Sequence, residues 1–214
     1  MQNNPTNPCP LCQSTSALFY QNNNRIFFQC TCCCAVFLNE TQRLDPESEK
    51  SRYQKHNNDI EDKEYQSFVS PITSAIQRDF TKKNIGLDFG AGTGPVISKV
   101  LQDAGYSISQ YDPYFHNHPE LLKEKYNYIA CCEVMEHFYD PKKEFKLLKQ
   151  LLLPKGKLYC MTEMYKESLD FHDWYYKNDP THVFLYTQET IHWIKKEFGF
   201  SDVKIKGRLI TFSN

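Results

Sequence analysis

Ile85-Gly86-Leu87-Asp88-Phe89-Gly90-Ala91-Gly92-Thr93-Gly94-Pro95 is the stretch whose reading decides the fold. A short apolar run with one acid reads as a buried strand, and glycines at 90, 92 and 94 follow it. A turn of that composition can take positive φ and bring its backbone close to a ligand. Pro95 has no N–H to leave unsatisfied, so it suits the first turn of a helix predicted over 95–104, and Gly105 is a natural stop. Asp88 then falls at the carboxyl end of a strand, where open α/β sheets bind their ligands. The spacing is G-x-G-x-G, which differs from the G-x-G-x-x-G of dinucleotide folds.

Moving outward, Tyr106–Tyr111 reads as a second strand that delivers Asp112, 24 positions after Asp88. An acid at that tip is where α/β folds place the carboxylate that accepts from ribose hydroxyls. Tyr128–Cys132 is a further apolar strand, followed by Glu133, Glu136 and His137 and by a helix of mixed lysine and leucine through Leu153. Pro154-Lys-Gly156 breaks that helix before a strand over Lys157–Thr162. Asp202–Gly207 and Arg208–Ser213 read as two strands joined at Gly207.

This order of strand, glycine-rich turn, acid, E-V-x-E-H, P-x-G and strand resembles the class I S-adenosylmethionine (SAM) methyltransferases over residues 83–214. The resemblance implies a Rossmann-like α/β fold: a mostly parallel seven-stranded sheet with an antiparallel last strand. It implies SAM as cofactor, held by Asp88, Gly90, Ala91, Gly92, Gly94 and Asp112. Cys132 and Tyr65, the latter in a helical segment covering the site, are expected to join them. Asp112 and Tyr126 lie so close in the chain that the interval leaves room for no more than a stub of the third strand.

The 214 residues suffice for one well-buried domain with a small appendage. A net charge of −1 gives no global field to attract nucleic acid or an anionic membrane. No apolar run reaches the roughly 18 residues that span a bilayer, and Met1-Gln-Asn-Asn-Pro5 lacks the basic and apolar regions of a signal peptide. A cytoplasmic location is therefore expected. Six of the nine cysteines crowd between positions 9 and 34, which in a reducing compartment points to metal.

Cys9-Pro-Leu-Cys12 and Cys30-Thr-Cys-Cys33, set a hairpin's length apart, fit a structural four-cysteine zinc site. Cys32 and Cys34 compete for the second pair, and Cys34 stands where zinc ribbons usually carry a tight-turn glycine. Ala17–Tyr20 and Arg25–Gln29 read as a hairpin over Asn22-Asn-Asn24. The chain thus divides into a zinc-ribbon-like segment (1–45), a helical linker covering the cofactor (46–82), in which Tyr53, His56, Tyr65 and Phe68 stand out, and a catalytic domain (83–214). A ribbon before a methyltransferase resembles the arrangement in some sugar C-methyltransferases.

Glu133, Glu136 and His137 are spaced i, i+3, i+4, which would put all three on one face of a helical turn. His182 comes later, in an Asp-Pro-Thr-His loop before a helix over 188–198. Two carboxylates and two imidazoles make a candidate divalent-metal set for magnesium or manganese. That pattern is similar to the small-RNA 2′-O-methyltransferases and the ubiquinone-pathway O-methyltransferases, where the metal lowers the pKa of the acceptor hydroxyl. Without metal, His137 or His182 would act as general base, with Glu133 beside them. Trp174, Tyr175 and Tyr176 are either acceptor-stacking or core residues. The expected partner is a sugar-like or phenolic small molecule. The alternatives are RNA, approached through Lys142, Lys143, Lys146 and Lys149, and a non-catalytic SAM-binding adaptor.

Overall fold

The computed structural model describes residues 7–55 and 59–214; His56 lies outside them. The strands are β1 (Ser16–Gln21), β2 (Ile26–Cys30), β3 (Val36–Leu38), β4 (Ile85–Phe89), β5 (Ser107–Tyr111), β6 (Tyr126–Cys132), β7 (Leu152–Met161), β8 (Phe184–Leu185), β9 (Asp202–Lys206) and β10 (Leu209–Ser213). The α-helices are α1 (Pro46–Gln54), α2 (Lys63–Asp79), α3 (Val96–Asp103), α4 (Pro141–Leu151) and α5 (Gln188–Glu197).

The main sheet runs β5-β4-β6-β7-β10-β9. The first four strands are parallel, and β10 is antiparallel to both β7 and β9. This is the expected topology with one correction: the sheet has six strands among the described residues, not seven. The segment 113–125 goes into a tight turn, in which Asp112 bridges to His116, and a 3-10 turn over Pro119–Lys123. Neither is long enough to add a strand.

The helices follow their sequence signals. Asp62 caps α2 by accepting from the Glu64 N–H, and Asp140 caps α4 through the Lys143 N–H. Helix α2 packs Val69, Ile72, Ala75 and Ile76 on the sheet. Its last residue, Asp79, accepts from Lys157 Nζ (2.8 Å) and Tyr159 Oη (2.8 Å) of β7. Helix α1 differs: the residue it buries is Glu49. Strand β7 continues through Pro154-Lys155-Gly156, where a break was expected. A Cβ at Gly156 would stand 2.8 Å from the Leu153 oxygen and 3.0 Å from the Asn127 oxygen, so this crossing admits only glycine.

The N-terminal strands form a second sheet, β1-β2-β3-β8. The hairpin over 22–24 forms as expected. Its last strand comes from the far end of the chain, with Val36 opposite Leu185 and Phe37 opposite Phe184. The buried cores of the two sheets are continuous, from Phe28 and Phe37 through Phe184 and Tyr186 to Phe145 and Phe212.

Candidate active site and cysteine cluster

Strand β4 carries Asp88 near its end; the side chain is buried and accepts from the Ser98 N–H (3.2 Å) and hydroxyl (2.8 Å). Burial pushes its pKa up to about 6, against the Ser98 bonds. Gly90 has φ +78°, and a Cβ there would lie 2.4 Å from a Val134 methyl. The N–H groups of Gly90 and Ala91 both donate to the Tyr111 carbonyl (2.8 and 3.1 Å), which draws the turn against β5. Asp112 accepts from Gly92 (3.0 Å) through Oδ2, and from Tyr114 (2.8 Å) and Phe115 (3.1 Å) through Oδ1. It holds the glycine turn and its own turn together.

A cavity of about 750 Å³ opens above this edge of the sheet. Each residue expected to hold the cofactor lines it: Asp88, Gly90, Ala91, Gly92, Gly94, Asp112, Cys132 and Tyr65. Glu133, His137 and His182 line it too, so both expected groups share one chamber. Trp174 and Tyr176 are buried in the aromatic packing beneath, and Tyr175 is exposed.

The E-V-x-E-H stretch is not one helical face. Glu133 has φ +52°, and only Met135–His137 form a 3-10 turn. The three side chains therefore take different partners: Glu133 and Glu136 meet at the Tyr176 hydroxyl, and His137 turns to the Thr181 carbonyl. Glu133 pairs with Arg208 (2.6 Å) and accepts from Tyr176 Oη (3.1 Å). Glu136, fully buried, accepts from the same Tyr176 hydroxyl, while its Oε2 has no hydrogen-bond partner among the described residues. Burial pushes both carboxyls up to about 7; the charge of Glu136 adds to the shift at Glu133, and Arg208 opposes it. His137 bonds the Thr181 carbonyl through Nδ1 (2.9 Å), and His182 bonds the Tyr176 carbonyl through Nδ1 (2.7 Å). A carbonyl only accepts, so in each neutral ring Nδ1 carries the proton and Nε2 is the basic atom. The rings stand 4.9 Å apart, centroid to centroid. Burial lowers both pKa values, that of His182 to about 3. One ligand atom from each of Glu136, His137 and His182 falls within 4.8 Å of the others. Glu133 does not join that group.

Several site residues carried no sequence signal. Glu49 of α1 lines the cavity and accepts from Tyr53 (2.8 Å) and Tyr114 (2.9 Å) hydroxyls. Arg208 is placed by the β9–β10 turn at the carboxyl end of β7, where it also reaches Glu163 (3.0 Å). Arg52 pairs with Asp179 (2.7 Å), whose Oδ1 accepts from the Thr181 N–H (2.9 Å) and hydroxyl (2.6 Å).

The four expected cysteine ligands converge, with one Sγ each from Cys9, Cys12, Cys30 and Cys33 within 4.8 Å of one another. The two turns match: the residue after each second cysteine is left-handed, Gln13 at φ +62° and Cys34 at φ +60°. Cys34 thus takes the conformation of the glycine it replaces. The N–H groups of Cys32 and Cys33 donate to Cys30 Sγ (3.4 Å each). A bond from the Cys33 thiol holds the Cys9 pKa down at about 6 against burial, while burial pushes Cys30 up to about 12. Cys32 is exposed.

A family model described as "Methyltransferase domain" matches residues 58–205. The chain belongs to this family. Among solved structures, it is similar to the 1,6-didemethyltoxoflavin-N1-methyltransferase of Burkholderia thailandensis, with S-adenosylhomocysteine bound (TM-score 0.57, 11% identity, 92% of this chain and 98% of that one). It is also similar to human N-acetylserotonin methyltransferase in complex with SAM (0.54, 12%, 79% and 56%). A third likeness is to an O-methyltransferase family protein of B. thailandensis (0.53, 11%, 77% and 61%). The chain thus spans less than two thirds of the latter two. No sequence among the curated proteins matches it. Among the described residues, no helix is long and apolar enough to cross a membrane.

Proposed function

We propose that this protein transfers a methyl group from SAM to a nucleophilic oxygen, nitrogen or carbon of a small-molecule acceptor, sugar-like or phenolic. The observation that carries this is the shared cavity with the glycine-rich turn and two acids at one end and two imidazoles at the other. Bound SAM supplies an activated methyl on a sulfonium. Asp112 would accept from the ribose hydroxyls with the lone pairs its backbone bonds leave. The Gly90–Gly94 turn would hold the remaining polar groups beside Asp88, and Tyr65 would cover them. His137 or His182 would take the acceptor proton on Nε2, which burial keeps unprotonated near pH 7. Positioning supplies most of the acceleration. The cavity wall favours a non-polyanionic acceptor: it carries Glu49, Asp88, Asp112, Glu133, Asp140 and Glu144 against Lys143.

Two metal sites accompany this proposal, one structural and one that belongs to a second reading. The four-cysteine cluster suits structural zinc in its donor set, its paired turns and its N–H bonds to sulfur. Glu136, His137 and His182 suit a divalent cation, because a buried carboxylate oxygen without a partner stands beside two neutral imidazoles. Such an ion would acidify an acceptor hydroxyl, and that second reading would favour RNA ends and catechols.

The test is calorimetric titration of SAM into protein of known metal content, with and without magnesium or manganese. Binding indifferent to added metal, lost in Asp112→Ala, supports the metal-free transferase. A second metal erased by Glu136→Ala with His137→Ala selects the hydroxyl-activating reading. Absence of SAM binding overturns both.

A further inference from the structure

Arg25 is a cation in a hairpin with no phosphate-binding pattern, and its side chain turns inward, away from solvent. Its backbone is fixed first: Asn22 Oδ1 accepts from the N–H groups of Asn24 (2.9 Å) and Arg25 (2.8 Å). The guanidinium lies over the Phe27 ring at 5.0 Å and reaches a loop far along the chain. Nη1 donates to the carbonyls of Lys177 and Asp179 (2.9 Å to the latter), and Nη2 donates to the carbonyl of His182 (3.3 Å).

Those three carbonyls belong to the loop that carries the site. His182 bonds back to the Tyr176 carbonyl within it, and His137 bonds the Thr181 carbonyl. The loop's inward carbonyls need donors; Asp179 O also accepts from the His182 N–H (3.1 Å), and among the described residues no sheet ladder serves any of the three. A planar fork with five N–H groups in fixed directions meets carbonyls spread over six residues from one side chain, with a geometry that a compact ammonium does not reproduce. Strand β3 secures the same segment further on: the Leu38 N–H donates to Val183 O (2.9 Å), and the Val183 N–H donates to Glu136 O (3.0 Å). At the cysteine end, Thr190 Oγ1 donates to Cys33 O (2.9 Å). The N-terminal sheet therefore reaches the two imidazoles through hydrogen bonds rather than by proximity alone.

We propose that Arg25 is a positioning residue of the transferase site: by binding the carbonyls of Lys177, Asp179 and His182, it sets the loop that orients His137 and His182. The N-terminal cysteine-bearing segment then buttresses, from behind, the loop that brings His182 to the cavity. The consequence for catalysis rests on the methyl-transfer reading above; the orienting role does not.

The experiment compares full-length wild type, Arg25→Gln and Arg25→Lys, each of known metal content. The signature is the pair of hydrogen-bonded imidazole Nδ1–H signals in proton–nitrogen NMR spectra, assigned by His137→Gln and His182→Gln. In Arg25→Gln both signals should broaden or vanish while SAM affinity stays within about threefold of wild type. Arg25→Lys should restore one signal in part. Both signals surviving in both variants would overturn the proposal. So would a common loss of fold and SAM binding in both variants, which would make Arg25 a stability residue of the whole chain. Wild type that shows the signals but binds no SAM would sink the methyl-transfer reading and leave the orienting role standing.

Discussion

The two ends of the cavity are built by opposite means. The cofactor end comes from one continuous run, Asp88 to Asp112, in which backbone groups close on backbone groups and on two nearby carboxylates. The histidine end is assembled from distant parts: Arg25, α1, the turn after β6, the loop over 175–182 and Arg208. In the first, a residue type is dictated by the conformation at its own position. In the second, it is dictated by a partner far along the chain.

That contrast can be broken most forcefully at the cysteines. If the cluster holds the proposed zinc, a strong chelator or Cys9→Ser should cost ~4 kcal/mol and lower the melting temperature by about 10 °C. Because the two cores are continuous, calorimetry should record a single transition. Two separated transitions would mean that the histidine end does not depend on the N-terminal sheet.

At the cofactor end, Gly90→Ala must adopt positive φ and displace Val134. A cost of ~3 kcal/mol, or about 100-fold in SAM affinity, should appear in a titration. Arg208→Ala should leave SAM binding far less affected. It removes the counter-charge of Glu133 and Glu163, so urea unfolding should show a loss of ~2 kcal/mol, tempered by the partial exposure of this pair. Equal losses of SAM affinity in the two variants would erase the distinction between the ends.

The smallest effect is expected at Asp79, which touches neither end. Burial opposes its ionisation, yet bonds from Arg78, Lys157 and Tyr159 hold its pKa below the ordinary carboxylate range. Its stabilisation is therefore present above that range, near pH ~4, and is lost as pH falls through the depressed value. Asp79→Asn should cost ~1 kcal/mol at neutral pH, and the gap to wild type should close progressively below about pH 4. A gap that persists in strong acid would mean that packing, not charge, supplies it.

The same contrast explains what could be read beforehand. Gly90, Asp88 and Asp112 were legible because each answers a local demand: a positive φ, the first turn of α3, the tip of β5. The short third-strand region is legible as a spacing, while the seven strands that the resemblance implies exceed the six found among the described residues. Cys9, Cys12, Cys30 and Cys33 were legible as two turns of one pattern, and they do converge. Glu133 and Glu136 look equivalent in sequence, and only the left-handed conformation at Glu133 separates a part-exposed ion pair from a buried carboxyl. Arg25, Glu49, Arg52 and Arg208 each bond partners 45 to 157 positions away. Nothing in their own neighbourhoods marks them. Strand β8 is a two-residue strand, too short for any periodicity to register.

The pairing of β3 with β8 also has a consequence in time. During synthesis the cysteine turns emerge early and can close on one another, because their loop is short. The open edge of β3 must then wait until Leu185 has left the ribosome, on the order of ten seconds at ~5–20 residues per second. For that interval Val36-Phe37-Leu38 is an unpaired apolar edge, the kind that recruits the wrong strand. Misassembly at this edge is thus a hazard for the whole interval between the emergence of β3 and that of β8.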